Sequence, residues 1–283
     1  MRRDPVVAGR FYEGQKDRLL EQIRNCFHHK LGVEGKSPES KGRLKALISP
    51  HAGYMFSGPP ASFGFARLKV EKPLPRRVVL MGPKHTHYGA QFSVSAAQEW
   101  LTPLGAVKVD HDFCRKICAE ISDFELEDGA HQFEHSLEVQ LPFLQYVYGE
   151  SQFEIVPIAL GYSSFNELSR IIAELKSFLD KNSGEETIFL ISSDFSHDTP
   201  REIAYKLDAQ VIEQITGLSA AGFYDLVVGE DRSVCGLMPI TALLLILESE
   251  NVSGRLLTYS TSMDVMKHER GVGYASIVFE ERS

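Results

Sequence analysis

Three runs of aliphatic and β-branched residues read as buried strands: Leu44 to Ser49, Val78 to Met81 and Thr187 to Ser193. Each runs straight into a turn-forming segment that carries histidine. Pro50-His51-Ala52-Gly53-Tyr54 follows the first, Gly82-Pro83-Lys84-His85 the second, and Asp194-Phe195-Ser196-His197 closes the third. Further strand patterns lie at Gln91 to Ala96, Phe153 to Leu160, Arg255 to Ser260 and Gly273 to Glu280. Between them the apolar spacing changes to three and four. Lys16 to Lys30 carries Leu19, Leu20, Ile23, Cys26 and Phe27 and stops near Gly32. Asp110 caps a helix through Phe113, Ile117 and Ile121, and Ser163 to Leu179 lines up Leu168, Ile171, Ile172, Leu175 and Phe178. Helices are also predicted near Glu202 to Ile215, Ala220 to Val228 and Pro239 to Glu248, and the polar stretch Gly35 to Lys41 reads as a loop. Alternation of strand and helix, without an internal repeat or a dividing linker, predicts a single α/β domain over residues 1–283. Its central sheet is mostly parallel or mixed and is flanked by helices as a sandwich.

Composition narrows the function classes. With 43% hydrophobic content over 283 residues there is enough apolar material for a full core. The formal net charge of -8, without a basic cluster interleaved with aromatics, argues against nucleic acid. Met1-Arg2-Arg3-Asp4-Pro5-Val6 reaches Gly9-Arg10 before an apolar signal region forms, and no run approaches the roughly 18 apolar residues of a membrane span. The expectation is a cytoplasmic chain with no membrane partner. Cys26, Cys114, Cys118 and Cys235 show no CxxC spacing and are expected as reduced thiols, with Cys114 and Cys118 as two small buried side chains on one helix face.

Strand carboxyl ends are where open α/β sheets gather ligands, so the three strand-end histidines point to one crevice that takes a small-molecule or peptide ligand. His51 and His85 are imidazoles suited to iron, copper or zinc. Two residues compete for the third ligand position. Cys235 precedes the apolar helix from Pro239, where the helix amino end favours thiolate; Asp194 would instead complete a two-histidine, one-carboxylate triad. His135, in Glu134-His135-Ser136 with Glu138 beyond, suits a general base or hydrogen-bond donor. His197 suits a base or an orienting partner. His131 and His135, four apart, would share a helix face, but the intervening glutamate of a zincin is missing. His28 and His29 close a solvated helix end, His111 is expected at the surface, His87 sits beside the site at best, and His268 has no supporting context. No GxSxG elbow, Walker A or Rossmann glycine pattern is present.

Taken together, Pro50-His51-Ala52-Gly53-Tyr54, Gly82-Pro83-Lys84-His85, Glu134-His135-Ser136-Leu137-Glu138, Ser192-Ser193-Asp194-Phe195-Ser196-His197 and Cys235-Gly236 with Pro239-Ile240 resemble the Memo family. The resemblance extends from Gly9-Arg10-Phe11-Tyr12 to Gly273-Tyr274-Ala275. It implies a fold like that of the class III extradiol dioxygenases, the LigB-like group. It also implies His51, His85 and Cys235 as metal ligands, with His135, Asp194 and His197 as catalytic groups in the same pocket. Where the dioxygenases complete their iron site with a carboxylate, the matching position here is Cys235, a softer donor that favours copper or shifts the iron potential. The family is linked to copper or iron, to redox regulation, to phosphotyrosine peptides and, in microbes, to a radical-SAM protein partner. Three functions are therefore expected in competition: a dioxygenase- or oxidase-like redox enzyme using Fe or Cu, a metal-activated hydrolase using Zn, or a non-enzymatic peptide- or protein-binding module.

Overall fold

A computed structural model describes residues 1–34, 38–149, 152–182, 184 and 186–282. Residues 35–37 of the predicted Gly35 to Lys41 loop lie outside the described residues. The chain opens with β1 (Arg2–Arg3), α1 (Lys16–His28), β2 (Leu44–Ser49), α2 (Tyr54–Lys69) and β3 (Arg77–Pro83). Then come β4 (Phe92–Val94), β5 (Glu99–Thr102), β6 (Gly105–Val109), α3 (His111–Glu120) and β7 (Glu125–Leu126). A 3-10 turn at Glu138–Gln140 leads into α4 (Leu141–Tyr148), β8 (Glu154–Leu160), α5 (Phe165–Asn182) and β9 (Thr187–Ser192). Helices α6 (Arg201–Thr216), α7 (Ala220–Gly229) and α8 (Leu237–Leu247) precede β10 (Val252–Thr261), α9 (Ser262–Val265) and β11 (Gly273–Glu281).

All strands join one sheet in the order β1-β5-β6-β8-β3-β9-β2-β11-β10, with β4 and β7 attached beside β8. The centre, β8-β3-β9-β2, is parallel, while β11 and β10 add antiparallel edges and β5 and β6 form an antiparallel hairpin. The sheet is thus mixed, within the expected range. Helices α1, α2 and α4 pack together on one side and α5 to α8 on the other. Covering both faces of the central strands leaves their residues almost wholly buried, which is why they read as continuous apolar runs rather than as alternating ones. No helix among the described residues is long and apolar enough to cross a membrane.

Several elements are absent from the sequence reading. The segment after Gly53, for which no element is predicted, is the 16-residue helix α2, despite Pro59 and Pro60 inside it. Burial explains the override: both prolines are packed in the interior with most of the helix around them. The β5/β6 hairpin was unread as strands because each is short; it is pinned by fully buried Trp100.

A candidate metal centre at the carboxyl ends of three adjacent strands

In the sheet, β3, β9 and β2 are neighbours and parallel, so their carboxyl ends open at the same edge. His85, Asp194 and His51 follow them directly. Cys235 arrives from the opposite layer at the start of α8. Gly236, the residue between Cys235 and that helix, lies so close to the β9 loop that a β-carbon there would sit 2.3 Å from Ser193 Cβ and Oγ; only glycine allows the approach. Its N–H donates to Ser193 Oγ at 3.1 Å. As a result Cys235 Sγ lies 3.2 Å from His51 Nε2, and donor atoms of His51, His85 and Cys235 all fall within 4.8 Å of one another.

Hydrogen bonding fixes which nitrogen of each imidazole faces the cluster. Ser192 Oγ donates to Ser136 O at 2.6 Å and accepts from Gln140 Nε2 at 2.9 Å, while Gln140 Nε2 also donates to Pro50 O at 3.0 Å. With its one proton committed, the hydroxyl accepts from His51 Nδ1 at 2.9 Å, so Nδ1 carries the hydrogen and Nε2 presents a lone pair toward Cys235. Burial, with the neighbouring His135 and His85, holds the His51 ring well below its ordinary pKa and therefore neutral.

His85 is oriented by Glu134, which accepts from His85 N at 2.6 Å, from His85 Nδ1 at 2.9 Å and from Ser136 N at 2.9 Å. Burial disfavours charge on Glu134, but the His85 and backbone hydrogen bonds outweigh it and bring its pKa down to about 2. Burial likewise opposes charging of His85, yet the bond to Glu134 raises its pKa overall. This carboxylate–imidazole pairing is the usual way a ligating histidine is held. Glu134, His85 and His135 form a second group of donor atoms within 4.8 Å.

The other predicted site residues surround these three. His135 stacks on His85 with ring centroids 4.9 Å apart and meets His51 edge-on at 5.5 Å; burial first, opposed by Glu134, lowers its pKa. Asp194 accepts from His51 N at 2.7 Å, and burial lifts its carboxyl to about 6. Its carboxylate is not among the clustered donor atoms, whereas its backbone N–H donates to Cys235 Sγ at 3.1 Å. The Asp194 to His197 loop is clamped from behind: Ser196 N and Oγ donate to buried Asp208, and Phe195 N donates to Gly273 O at 2.9 Å. His197 is exposed and donates through Nδ1 to Ser233 O at 2.9 Å, leaving Nε2 free.

Two expectations fail. Cys235 is not acidified by the helix end: burial, reinforced by Asp194, pushes the thiol well above its ordinary value, and one N–H bond does not offset this. A bound cation would reverse that balance, because metal binding displaces the thiol proton. His131 and His135 do not share a helix face, since residues 131–137 form turns, and His131 is directed away to pack edge-on to Trp100 at 5.6 Å. His111 is half-buried; His87 and His268 are exposed.

Further residues support the site through long-range contacts. Glu138, fully buried, accepts from Arg3 Nη1 at 2.8 Å, Val6 N at 2.8 Å, Val7 N at 3.0 Å and Tyr12 Oη at 2.7 Å, bolting the amino-terminal segment beside the site. Arg3 also donates to His131 O and Glu134 O and stacks over Trp100. A cavity of about 610 Å³ bounded by Lys16, Leu20, Arg76 and Phe153 lies at the amino ends of β3 and β8, away from the histidines, and shares no residue with them.

The family model for Memo-like proteins matches residues 3–278. A MEMO1 family protein of Methanopyrus kandleri is 39% identical over 287 residues, and one of Saccharolobus solfataricus 38% identical over 285, each alignment covering 99% of both chains. An uncharacterized protein of Escherichia coli K12 superposes with a TM-score of 0.56 at 13% identity, covering 83% of this chain and 99% of that one, a likeness of fold alone. A chain matched from its first strand to its last by one family model, and paralleled end to end by such relatives, belongs to the Memo family.

Proposed function

We propose that His51 Nε2, His85 and Cys235 Sγ hold one iron or copper ion and that the site carries out redox chemistry on a small ligand in the strand-end crevice. The observation that supports this most is the convergence of two tautomer-fixed imidazoles and a thiol within 4.8 Å, reached from three separate parts of the chain. The donor set fits: two borderline nitrogens and one soft sulfur suit copper or iron, with zinc a further candidate, and leave coordination positions open. Such a metal would supply one-electron chemistry and a positive charge at the crevice.

The remaining roles fall to this chain's own groups. Asp194, with its carboxyl near pKa 6, is placed to take up or release a proton close to physiological pH, and His135, half-exposed and stacked on His85, to accept one from a bound ligand. His197, with Nε2 free at the exposed side, passes protons to solvent. Ser192 and Glu134 keep the two ligating rings in register.

Purification without histidine tags under anaerobic conditions, followed by metal analysis by mass spectrometry, tests the reading. Near one equivalent of iron or copper is expected in wild type, and loss of it in His51→Ala and Cys235→Ala. Zinc retained by Cys235→Ala would overturn the thiolate-ligated redox centre in favour of hydrolysis, and an absence of metal from wild type would leave a binding module.

A further inference from the structure

Two carboxyl groups border the site, Glu134 bonded to His85 and Asp194 bonded to the His51 backbone. Among the strongest electrostatic influences on His51, His85, His135, Asp194 and Cys235, a single lysine or arginine appears, and it is Arg10, acting on His135. Arg10 lies on a tight turn in which Arg10 N and Phe11 N both donate to Val7 O, at 3.0 and 2.9 Å, and Gly9 N donates to Tyr12 O at 2.7 Å. Gly9 supplies the turn at φ +78°, a conformation that side chains other than glycine's resist. The turn is held from both ends. Glu138 receives Val6 N, Val7 N and Tyr12 Oη behind it, and Phe11 O accepts from Tyr54 N at 2.8 Å at the start of α2. The Phe11 ring then meets His135 edge-on at 5.0 Å, which sets the turn against the cluster of donor side chains.

On this rigid turn the Arg10 side chain is exposed and makes no hydrogen bond or ion pair among the described residues. A fixed backbone beneath a free guanidinium is an arrangement suited to receiving an anion.

We infer that the ligand of this centre carries a carboxylate and that Arg10 receives it, with the rest of the molecule extending past Phe11 and His135 toward His51, His85 and Cys235. One cation beside two carboxyl groups favours a singly charged partner over a phosphate dianion. The inference rests on reading the cluster as the ligand-binding centre.

Alkylation of Cys235 in metal-free protein tests it, because iodoacetate is itself a small carboxylate and iodoacetamide its neutral counterpart. The ratio of their rates at Cys235, read by peptide mass spectrometry and normalised to the half-buried Cys118 of the same molecule, reports the pull of Arg10. Arg10→Gln is expected to lower the normalised ratio about fivefold at low ionic strength, and Arg10→Lys to keep most of it. An unchanged ratio in Arg10→Gln overturns the inference. So does protection of Cys235 from iodoacetamide by inorganic phosphate but not by acetate, which would reassign Arg10 to phosphate. Metal-free protein is used throughout, so the result stands whether or not the cluster takes a metal, and unchanged Cys118 reactivity shows that the variants remain folded.

Discussion

Ser192 and Ser49 face each other in register on β9 and β2, and both are fully buried, yet deleting their hydroxyls should have opposite consequences. Ser192 Oγ serves three buried partners: Ser136 O, Gln140 Nε2 and His51 Nδ1. In Ser192→Ala, Gln140 keeps its bond to Pro50 O, but the His51 N–H and Ser136 O lose a partner. At about 1 kcal/mol per lost bond and about 1–3 kcal/mol for a stranded buried donor, the expected loss of stability is about 2–4 kcal/mol. His51 also loses the group that dictates its tautomer, so metal affinity should fall about 10- to 100-fold, as for other groups that orient a ligating histidine. The Ser49 hydroxyl has no protein partner, so Ser49→Ala should change stability by less than about 0.5 kcal/mol or raise it slightly, and leave metal affinity unaltered. Urea denaturation midpoints at constant slope measure the first quantity, and competition against a chromophoric chelator the second. Equal costs for the two substitutions in either assay would refute the hydrogen-bond account of how His51 is set.

Three further outcomes follow from the geometry. Gly236→Ala places a methyl against Ser193 and should cost about 1–3 kcal/mol while moving Cys235 off the cluster, detected as a lowered melting temperature together with faster iodoacetamide labelling of Cys235. Glu138→Gln leaves Arg3 buried without its counter-charge; a loss of about 3–5 kcal/mol is expected, with new protease cleavage ahead of Tyr12 seen by mass spectrometry. His131, fully buried with both ring nitrogens unpartnered, is held by burial and then by Arg3 at a pKa of about 4. The unfolded chain takes up this proton near pH 6.5 and the folded one only near pH 4, so stability should decline as pH falls through that interval. Between pH 7 and pH 4.5 the wild type should lose about 2–3 kcal/mol more than His131→Leu in urea denaturation, and parallel pH profiles would show that His131 is not desolvated.

The parts of the fold written as one-dimensional pattern were legible. Leu44 to Ser49, Thr187 to Ser193 and Phe153 to Leu160 are apolar because the sheet is covered on both sides, and α5 buries the very face its spacing announces. Helix α2 was hidden because Pro59-Pro60 is a local instruction that tertiary burial countermands. At the site, the strand ends of β2 and β3 announced His51 and His85, while Cys235 rather than the Asp194 carboxylate joins their donor atoms through a contact between Gly236 and Ser193 that no spacing encodes. The thiol's protonation was misjudged for a related reason: a helix end is visible in sequence, but the burial that overrides it is not. Ser192, Gln140 and Arg3 look like ordinary polar residues until the segments they join are brought together.

The three clustered donors are spread along the chain at positions 51, 85 and 235, with the thiol alone supplied after β9, at the start of α8. A nascent chain that has emerged through β9 owns two imidazoles, a weak and undiscriminating pair. The softest donor, the one able to choose among metals, joins only after α8 docks on the sheet. On the metal reading proposed above, metal selection would be a property of the finished fold, because an ion captured early would have to satisfy the thiolate before it is retained.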